Sequence, residues 1–381
     1  MKLSLRMLLS FVTIFSLIYG GAHLYVYWRL VHPLKLTGGP VWTVRLGMLL
    51  LFLSFPVIHF VLRRENGAVL GVANFVSSVW MGMLVYLVLG TYVYDLLRLY
   101  GWSPIPGGKT ITAIVTGVAA AITVYGFFEA HWICVTNLPV RMPNLPAHLE
   151  GLRIAQISDV HLGRIVRGSR LENIVNRINA LQPDLIVITG DLVDAEPSHM
   201  EDMIPALRRL QSRYGVFAVT GNHEFFAGAE RAQSYLDRAG VTLLRNRWVT
   251  VAGDLQLIGR DDVIAARLTG TPAPAWDEIL RGLDRTKPAI LLYHTPVTTL
   301  AELEAHGIQL QLSGHTHQGQ LWPFNFIVKC LFKTPYGLFT DGKATIYVNR
   351  GIGTWGPPLR VLARPEITLV TLTREIFCAR Q

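Results

Sequence analysis

Charge is absent from long stretches of the first third of this chain. Four segments, about 7–28, 46–62, 67–94 and 110–128, contain no Asp, Glu, Lys or Arg. Each is long enough to cross a hydrocarbon core, which takes roughly 17–25 residues of helix. The length of the first segment, with three more following, argues against a cleaved signal peptide. The shared lack of charge argues against buried core helices in the other three. Pro56 lies in the second, where a kink is expected and a bundle tolerates it.

Cysteine is scarce as well. Cys134, Cys330 and Cys378 form no CxxC and no paired spacing, which excludes a disulfide framework and a thiolate metal site as working readings. Nor is there a basic run of the kind that grips nucleic acid. Residues 1–150 carry ten Lys and Arg against four Asp and Glu, and the remainder twenty-five against twenty-two. That modest excess fits anionic lipid head groups or the loops that flank membrane spans.

The first part is therefore expected to be a transmembrane domain of four helices, residues 1–130, and the second a separate domain, residues 131–381. Four spans put the amino terminus and the second domain on one side of the membrane. Lys2, Arg6, Arg63, Arg64 and Arg141 flank that side, and Arg29, Lys35, Arg45, Arg98 and Lys109 the other. This even count leaves orientation open by the positive-inside rule. A cytoplasmic domain on a bacterial inner membrane is the working expectation.

In the second domain, Ile133–Val140 is a candidate strand followed by a stretch with three prolines, which suits an edge strand and a stiff connection. From Leu152 onward a pattern recurs five times: a short apolar, β-branched run that stops at Asp, Asn or His. The runs are LRIAQIS before Asp159, LIVITG before Asp191, VFAVTG before Asn222, AILLY before His294 and IQLQLSG before His315. Near-continuous apolar runs of this length suit strands buried on both faces, as in a largely parallel sheet.

Between the first strands, Leu171, Ile174, Val175, Ile178 and Leu181 follow the spacing of one helix face, with Ser169 as a candidate cap and Pro183 as the stop. Residues 201–215 and 229–240 have weaker helical patterns. Such alternation implies βαβ units, whose ligands bind beyond the carboxyl ends of the strands.

Taken singly, each polar cluster is a turn or cap. Together they bring Asp159, His161, Asp191, Asn222, His294, His315 and His317 to the ends of consecutive strands, a set of imidazole and oxygen donors suited to Zn, Mn or Fe. Seven donors are too many for one ion and imply two, bridged by a carboxylate. Alternation along an extended HTH would turn His315 and His317 to the same face.

The series DVH, GDLVD, GNHE, YH and GHTH resembles the calcineurin-like metallophosphoesterases. The resemblance runs from about His131 to Leu372 and is nearest the bacterial membrane-associated branch similar to UDP-2,3-diacylglucosamine pyrophosphatases. It implies an α/β metallophosphoesterase domain, with two mixed β-sheets sandwiched and flanked by helices. It also implies a site in which Asp159, His161 and His317 hold one metal, Asn222, His294 and His315 the other, and Asp191 bridges them. By the same resemblance His223 is the proton donor to the leaving oxygen, with Asp194 to orient it. For Asp194 this orienting role is expected ahead of a turn or helix cap; for Glu224 a solvated or capping carboxylate is the expectation.

GIGTWG, residues 351–356, has the spacing of a dinucleotide fingerprint, but Pro357 and Pro358 deny it the helix that motif needs. It is expected to be a loop that could line the site. Asp261 and Asp262 are expected to form a turn.

The resulting expectation is a membrane-bound dinuclear-metal hydrolase of phosphodiester or pyrophosphate bonds, acting by metal-activated hydroxide, with the lipid bilayer as partner and a lipid-linked substrate. A soluble nucleotide or phosphoprotein is the alternative substrate. A metal-binding membrane sensor or transporter without catalysis is the alternative of another class, disfavoured by the near absence of acidic or basic residues inside the spans.

Overall fold

The structure, a computed structural model, describes residues 5–62, 67–101, 107–194 and 200–374, without the side chains of residues 5–11 and 60. Cys378 lies outside the described residues, as do Lys2, Arg63 and Arg64. The chain forms two units, Met1–Phe128 with Gly356–Leu359, and Glu129–Trp355 with Arg360–Gln381.

The first unit contains α1 (Leu5–Val26), α2 (Gly39–Pro56), α3 (Ala68–Leu99) and α4 (Gly108–Glu129). Among the described residues three helices are long and apolar enough to cross a membrane: Gly39–His59, Ala68–Leu99 and Gly108–Glu129. The first expected span, 7–28, is helical as α1. The side chains of its first turns are outside the described set, so a fourth span belongs to the proposal below.

At Pro56 the helix does not simply kink; a π-helical turn, Val57–Val61, follows it. The wider turn is a recognised way of accommodating a disturbed ladder. Aromatic contacts tie α1 to α2, with Phe15 against Phe55 and Tyr19 against Phe52. The indole N–H of Trp80 on α3 donates to His23 at 2.9 Å. Near the helix ends Arg29 pairs with Asp95, which also accepts from the Tyr25 hydroxyl at 2.8 Å.

The second unit contains twelve described strands in two six-stranded sheets. The first sheet has the order β1 (Cys134–Arg141), β12 (Glu366–Thr373), β2 (Arg153–Ile157), β3 (Leu185–Ile188), β4 (Val216–Ala218) and β5 (Thr242–Leu243). All its pairs are parallel except β12 with β2. The second has the order β10 (Gly337–Thr340), β11 (Thr345–Val348), β9 (Leu310–Ser313), β8 (Ala289–Tyr293), β7 (Leu255–Arg260) and β6 (Arg247–Val251). Its outer pairs are antiparallel and its inner ones parallel. Both sheets are thus mixed, and β1 with Pro139 is an edge strand.

The helices of this unit are α5 (Ser169–Ala180), α6 (Ile204–Leu207), α7 (Asn222–Ala227), α8 (Ala229–Arg238), α9 (Ile264–Thr269), α10 (Trp276–Ile279), α11 (Leu300–Ala305) and α12 (Phe324–Leu331). Side-chain alternation along the strands explains the layering. Leu185 and Val187 of β3 join Ile290 and Leu292 of β8 in the core between the sheets. Ile186 and Ile188, one residue out of phase, pack instead with Leu171, Ile174, Val175 and Ile178 of α5.

On the far face of the second sheet, Leu291 and Tyr293 pack with Ile279 of α10 and Leu303 of α11. Strands covered on both faces favour apolar residues at successive positions, which is why β3 and β8 show no polar alternation. Two expected helices differ in detail. α5 begins at Ser169 with Gly168 in the cap position, and residues 201–215 yield only a short 3₁₀ turn and the single turn of α6.

Candidate metal centre

Asp159, Asp191, Asn222, His294 and His315 all follow the carboxyl ends of their strands, β2, β3, β4, β8 and β9, within one to four residues. Their loops converge. The Nε2 atoms of His161 and His317 approach to 3.1 Å, and His317 Nε2 lies 3.3 Å from Asp159 Oδ1. On the other side, His315 Nδ1 lies 3.0 Å from Asn222 Oδ1 and 3.2 Å from His294 Nε2. Asp191 stands between these groups, with Oδ2 3.2 Å from His294 Nε2 and 3.9 Å from His161 Nε2. All seven residues expected at the site are therefore brought together.

The donor chemistry fits divalent cations. Two groups, Asp159 with His161 and His317, and Asp191 with His294 and His315, have ligand atoms within 4.8 Å of one another. A third such group contains His161, Asp194 and His223. Imidazole must be neutral to ligate a metal. Burial holds His161 and His315 below the ordinary value of 6.5, and His317 well below it. His294 is the exception: burial lowers it, but the Asp191 charge and hydrogen bond raise it well above 6.5, and a cation held there would displace its proton. Burial also opposes the Asp191 carboxylate, but the charge and hydrogen bond of His294 keep it well below the usual carboxylate range. Asp191 is therefore ionised, as a bridging ligand has to be.

The backbone around these donors is unusual. Asp159, His161, Asp191, His315 and His317 all have left-handed φ, between 50° and 73°. A non-glycine residue in this region is uncommon and costs of order 1–3 kcal/mol where the conformation is sparsely populated. The same geometry corrects the expectation for HTH, which is not extended. β9 ends at Ser313, and His317–Gly319 is a 3₁₀ turn, so left-handed turns rather than strand alternation bring the two histidines inward. Glycine is required where these loops touch: a Cβ on Gly221 would lie 2.1 Å from Asp191 Oδ1, and one on Gly314 1.8 Å from Ser158 Oγ.

What holds the loops is a group of buried polar residues. Glu224 is 1% exposed, which rules out the solvated reading and leaves the capping one. Its Oε2 accepts from the backbone N–H of Gly221 at 2.6 Å and of Asp191 at 3.0 Å, while Oε1 accepts from Val193 N–H at 3.0 Å. One carboxylate thus clamps the Asp191 loop to the Asn222 loop. Burial, reinforced by the Asp191 charge, pushes its pKa up to about 7.

His294 Nδ1 donates to the Thr189 carbonyl at 2.8 Å, which aims Nε2 at Asp191. Such bonds set the tautomer and direction of a ligating imidazole. The backbone N–H of His315 in turn donates to both oxygens of Asp159.

His223 packs edge-on against His161, with ring centroids 4.6 Å apart. Its Nδ1 lies 3.0 Å from Asp194 Oδ1. Burial lowers the His223 pKa, but the bond to Asp194 and the charges of Asp191, Asp194 and Glu224 outweigh it and raise the value to about 9. Gly351 and Gly353 lie against the Asp159 loop, and Trp355 faces the His223 ring at 6.3 Å. GIGTWG is thus a loop beside the site with no helix after it.

Asp261 accepts from Arg245, Asn246 and Thr220. Asp262 caps Ile264 N–H and accepts from Thr295. Both therefore act as supports, in a network wider than the expected turn.

Sequence reasoning missed Arg360. It is fully buried, donating to the carbonyls of Gly353, Arg350 and Ala363, with Nη2 3.2 Å from His317 Nδ1. Burial lowers its pKa to about 9. Arg360, one of two arginines in the run PPLRVLAR, carries no periodic or motif signal that would have exposed this role. Phe332, whose ring is 5.7 Å from His315, was missed for the same reason. Glu224 was detectable, since it stands three residues after Gly221 at the position that caps a helix start.

An α/β domain of two mixed sheets with a cluster of histidines and carboxylates at the strand ends defines a class of metal-dependent phosphoesterases. Residues 152–319 match the family described as calcineurin-like phosphoesterase. A Campylobacter jejuni metallophosphoesterase is 30% identical over 382 residues, covering 96% of this chain and 98% of the relative. The chain belongs to the calcineurin-like metallophosphoesterases.

A Helicobacter pylori metallophosphoesterase is 37% identical over 222 residues, 58% of this chain, and the match spans 60% of that relative's length. A Danio rerio transmembrane protein with metallophosphoesterase domain is 32% identical, over 77% of this chain and 74% of the relative.

Proposed function

We propose that the chain is a membrane-anchored hydrolase that cleaves phosphodiester or pyrophosphate bonds at a site for two divalent cations. Residues 1–130 would form a membrane domain of four helices and residues 131–381 the phosphoesterase domain. The observation that carries this reading is the position of Asp191 between the Asp159, His161 and His317 donors and the Asn222, His294 and His315 donors.

Asp159, His161 and His317 would hold one cation, Asn222, His294 and His315 the second, and Asp191 both. Mn, Fe and Zn all suit nitrogen and oxygen donors of this kind. When bound, such ions polarise a phosphoryl oxygen and acidify a water to supply the nucleophile at neutral pH.

The chain's own residues do the rest. Glu224 and Arg360 hold the ligand loops, and the GIGTWG loop covers the Asp159 side. His223, against His161 and ion-paired with Asp194, is placed to give a proton to the departing oxygen. General acid help of this kind contributes roughly 10²- to 10⁴-fold. A substrate with an acyl or other lipid group fits an enzyme tethered to a bilayer.

The test is hydrolysis of an aryl phosphodiester and an aryl phosphomonoester by full-length, metal-stripped protein with and without Mn²⁺. Asp191→Asn and His223→Ala should each suppress Mn²⁺-dependent diester cleavage. Metal binding with no turnover of either compound, or turnover indifferent to both substitutions, would refute the reading.

A further inference from the structure

The helix α12 is out of keeping with a domain whose strands are buried on both faces. It has the sequence FNFIVKCL, and none of its eight residues is buried. Phe326 is 56% exposed, Ile327 53% and Leu331 72%. Trp322 just before it and Leu338 just after it are exposed as well.

At 100° per residue, Phe324, Phe326, Ile327, Cys330 and Leu331 share one outward arc, with Val328 turned inward. Scattered exposed apolar residues are ordinary, but a contiguous apolar face marks a surface that something covers.

Three observations identify what covers it. The apolar face is bordered by cations: Lys329 lies on the helix and Lys333 follows it, with no acidic residue between Leu321 and Tyr336. Trp and Phe interleaved with Lys is the composition of a helix lying in a head-group layer, where rings enter the acyl boundary and ammonium groups meet anionic lipid.

A bilayer is also at hand. The apolar helix α4 ends at Glu129 and β1 begins at Cys134. Four connecting residues reach at most roughly 14 Å. The helix is also joined to the metal centre. A Cβ on Gly319, in the turn that starts at His317, would lie 2.4 Å from Asn325 N, and Phe332 packs its ring on His315.

We propose that α12, with Trp322 and Lys333, is an interfacial helix that lies in the surface of the bilayer anchoring the chain and presents acyl-bearing phosphoesters to the adjacent site. The substrate part of this proposal rests on the hydrolase reading; the location of the helix does not. Lipid packed on α12 would hold the mouth of the site, at His315, against the head groups where such esters lie.

The experiment uses the native Cys330 as a spin-label site in full-length protein carrying Cys134→Ser and Cys378→Ser, reconstituted in nanodiscs containing anionic lipid. Power saturation should show collision with oxygen exceeding collision with the water-soluble Ni(II) complex of ethylenediaminediacetate at residue 330. A control label at Ser234→Cys on the polar helix α8, with Cys330→Ser added, should show the reverse.

Preferential collision with the nickel complex at residue 330 would overturn the proposal. So would a label shielded from both reagents, which would mean coverage by protein, either a second copy or the apolar helices. The second arm compares wild type with the Phe326→Glu, Ile327→Glu double variant. Cleavage of a soluble aryl phosphodiester should stay within twofold, while cleavage of the same aryl ester of phosphatidic acid in nanodiscs should fall at least tenfold.

Equal loss on both substrates would overturn the presentation role. Absence of turnover on either substrate in the wild type would refute the hydrolase reading, leaving the labelling result to decide the location of the helix.

Discussion

Between the two sheets, Ile154, Leu185, Val187, Ile290, Leu292 and Leu310 are fully buried apolar residues in regular strands. A few residues further along the same strands, the chain buries carboxylates and imidazoles and takes left-handed φ at five of them. The first region satisfies every local preference at once, and the second violates several. The difference shows where the fold's stability is used: a rigid sandwich holds in place a set of charged, strained side chains that would not assemble alone.

Changes in the second region should therefore damage chemistry, and changes in the first should damage stability. The sharpest test is His223→Ala, which should lower kcat on an aryl phosphodiester by about 10²- to 10⁴-fold while leaving the melting temperature and the bound metal unchanged. A comparable loss of thermal stability would break the comparison, because His223 would then be a structural residue.

Glu366 is a buried charge on the structural side. It is 1% exposed and accepts from Arg350 Nε at 3.0 Å and from the Tyr347 hydroxyl at 2.5 Å. Burial raises its pKa, but the hydrogen bond and charge of Arg350 prevail and hold it below the ordinary 4.5. A carboxylate with a lowered folded-state pKa contributes stability above its unfolded value and loses it as pH falls through the folded one. Stability should accordingly fall on acidification below about pH 4.5, and Glu366→Gln should flatten that dependence. At neutral pH the substitution should cost about 3–5 kcal/mol, measured by thermal or denaturant unfolding.

Leu292→Ala opens a cavity between the sheets and should cost about 2–5 kcal/mol, with the metal content of the folded fraction unchanged. A large change in metal affinity without loss of stability would show that core and site are not separable in this way.

The smallest expected effect joins the two regions. Arg360→Lys keeps the charge but not the planar fork that meets three carbonyls and His317. Loss of such a support for a ligand should weaken Mn²⁺ binding by about 10- to 100-fold, which isothermal titration would read, with little change in unfolding temperature.

The buried strands and the candidate site were legible in the residues themselves, whereas the sandwich of two mixed sheets followed only from the family resemblance. Apolar runs too continuous for a half-exposed sheet announced strands covered on both faces, and the Asp, Asn and His at or just beyond their ends gave the seven candidate donors. The means by which HTH turns inward was misread. Strand alternation is a property of extended backbone, and His315 and His317 have lefthanded φ. Helix length at 201–215 was overestimated as well, because the apolar residues there bury themselves from a 3₁₀ turn and a single α-turn.

By itself the sequence determined which residue types stand at the strand ends and which segments are free of charge, since both follow from short-range order along the chain. Only the tertiary structure decided that Glu224 clamps Asp191, 33 residues away, that Arg360 supports His317, 43 residues away, and that α12 is left uncovered. Contacts between distant residues, and burial itself, depend on how the sheets and loops close on one another; no local pattern encodes them.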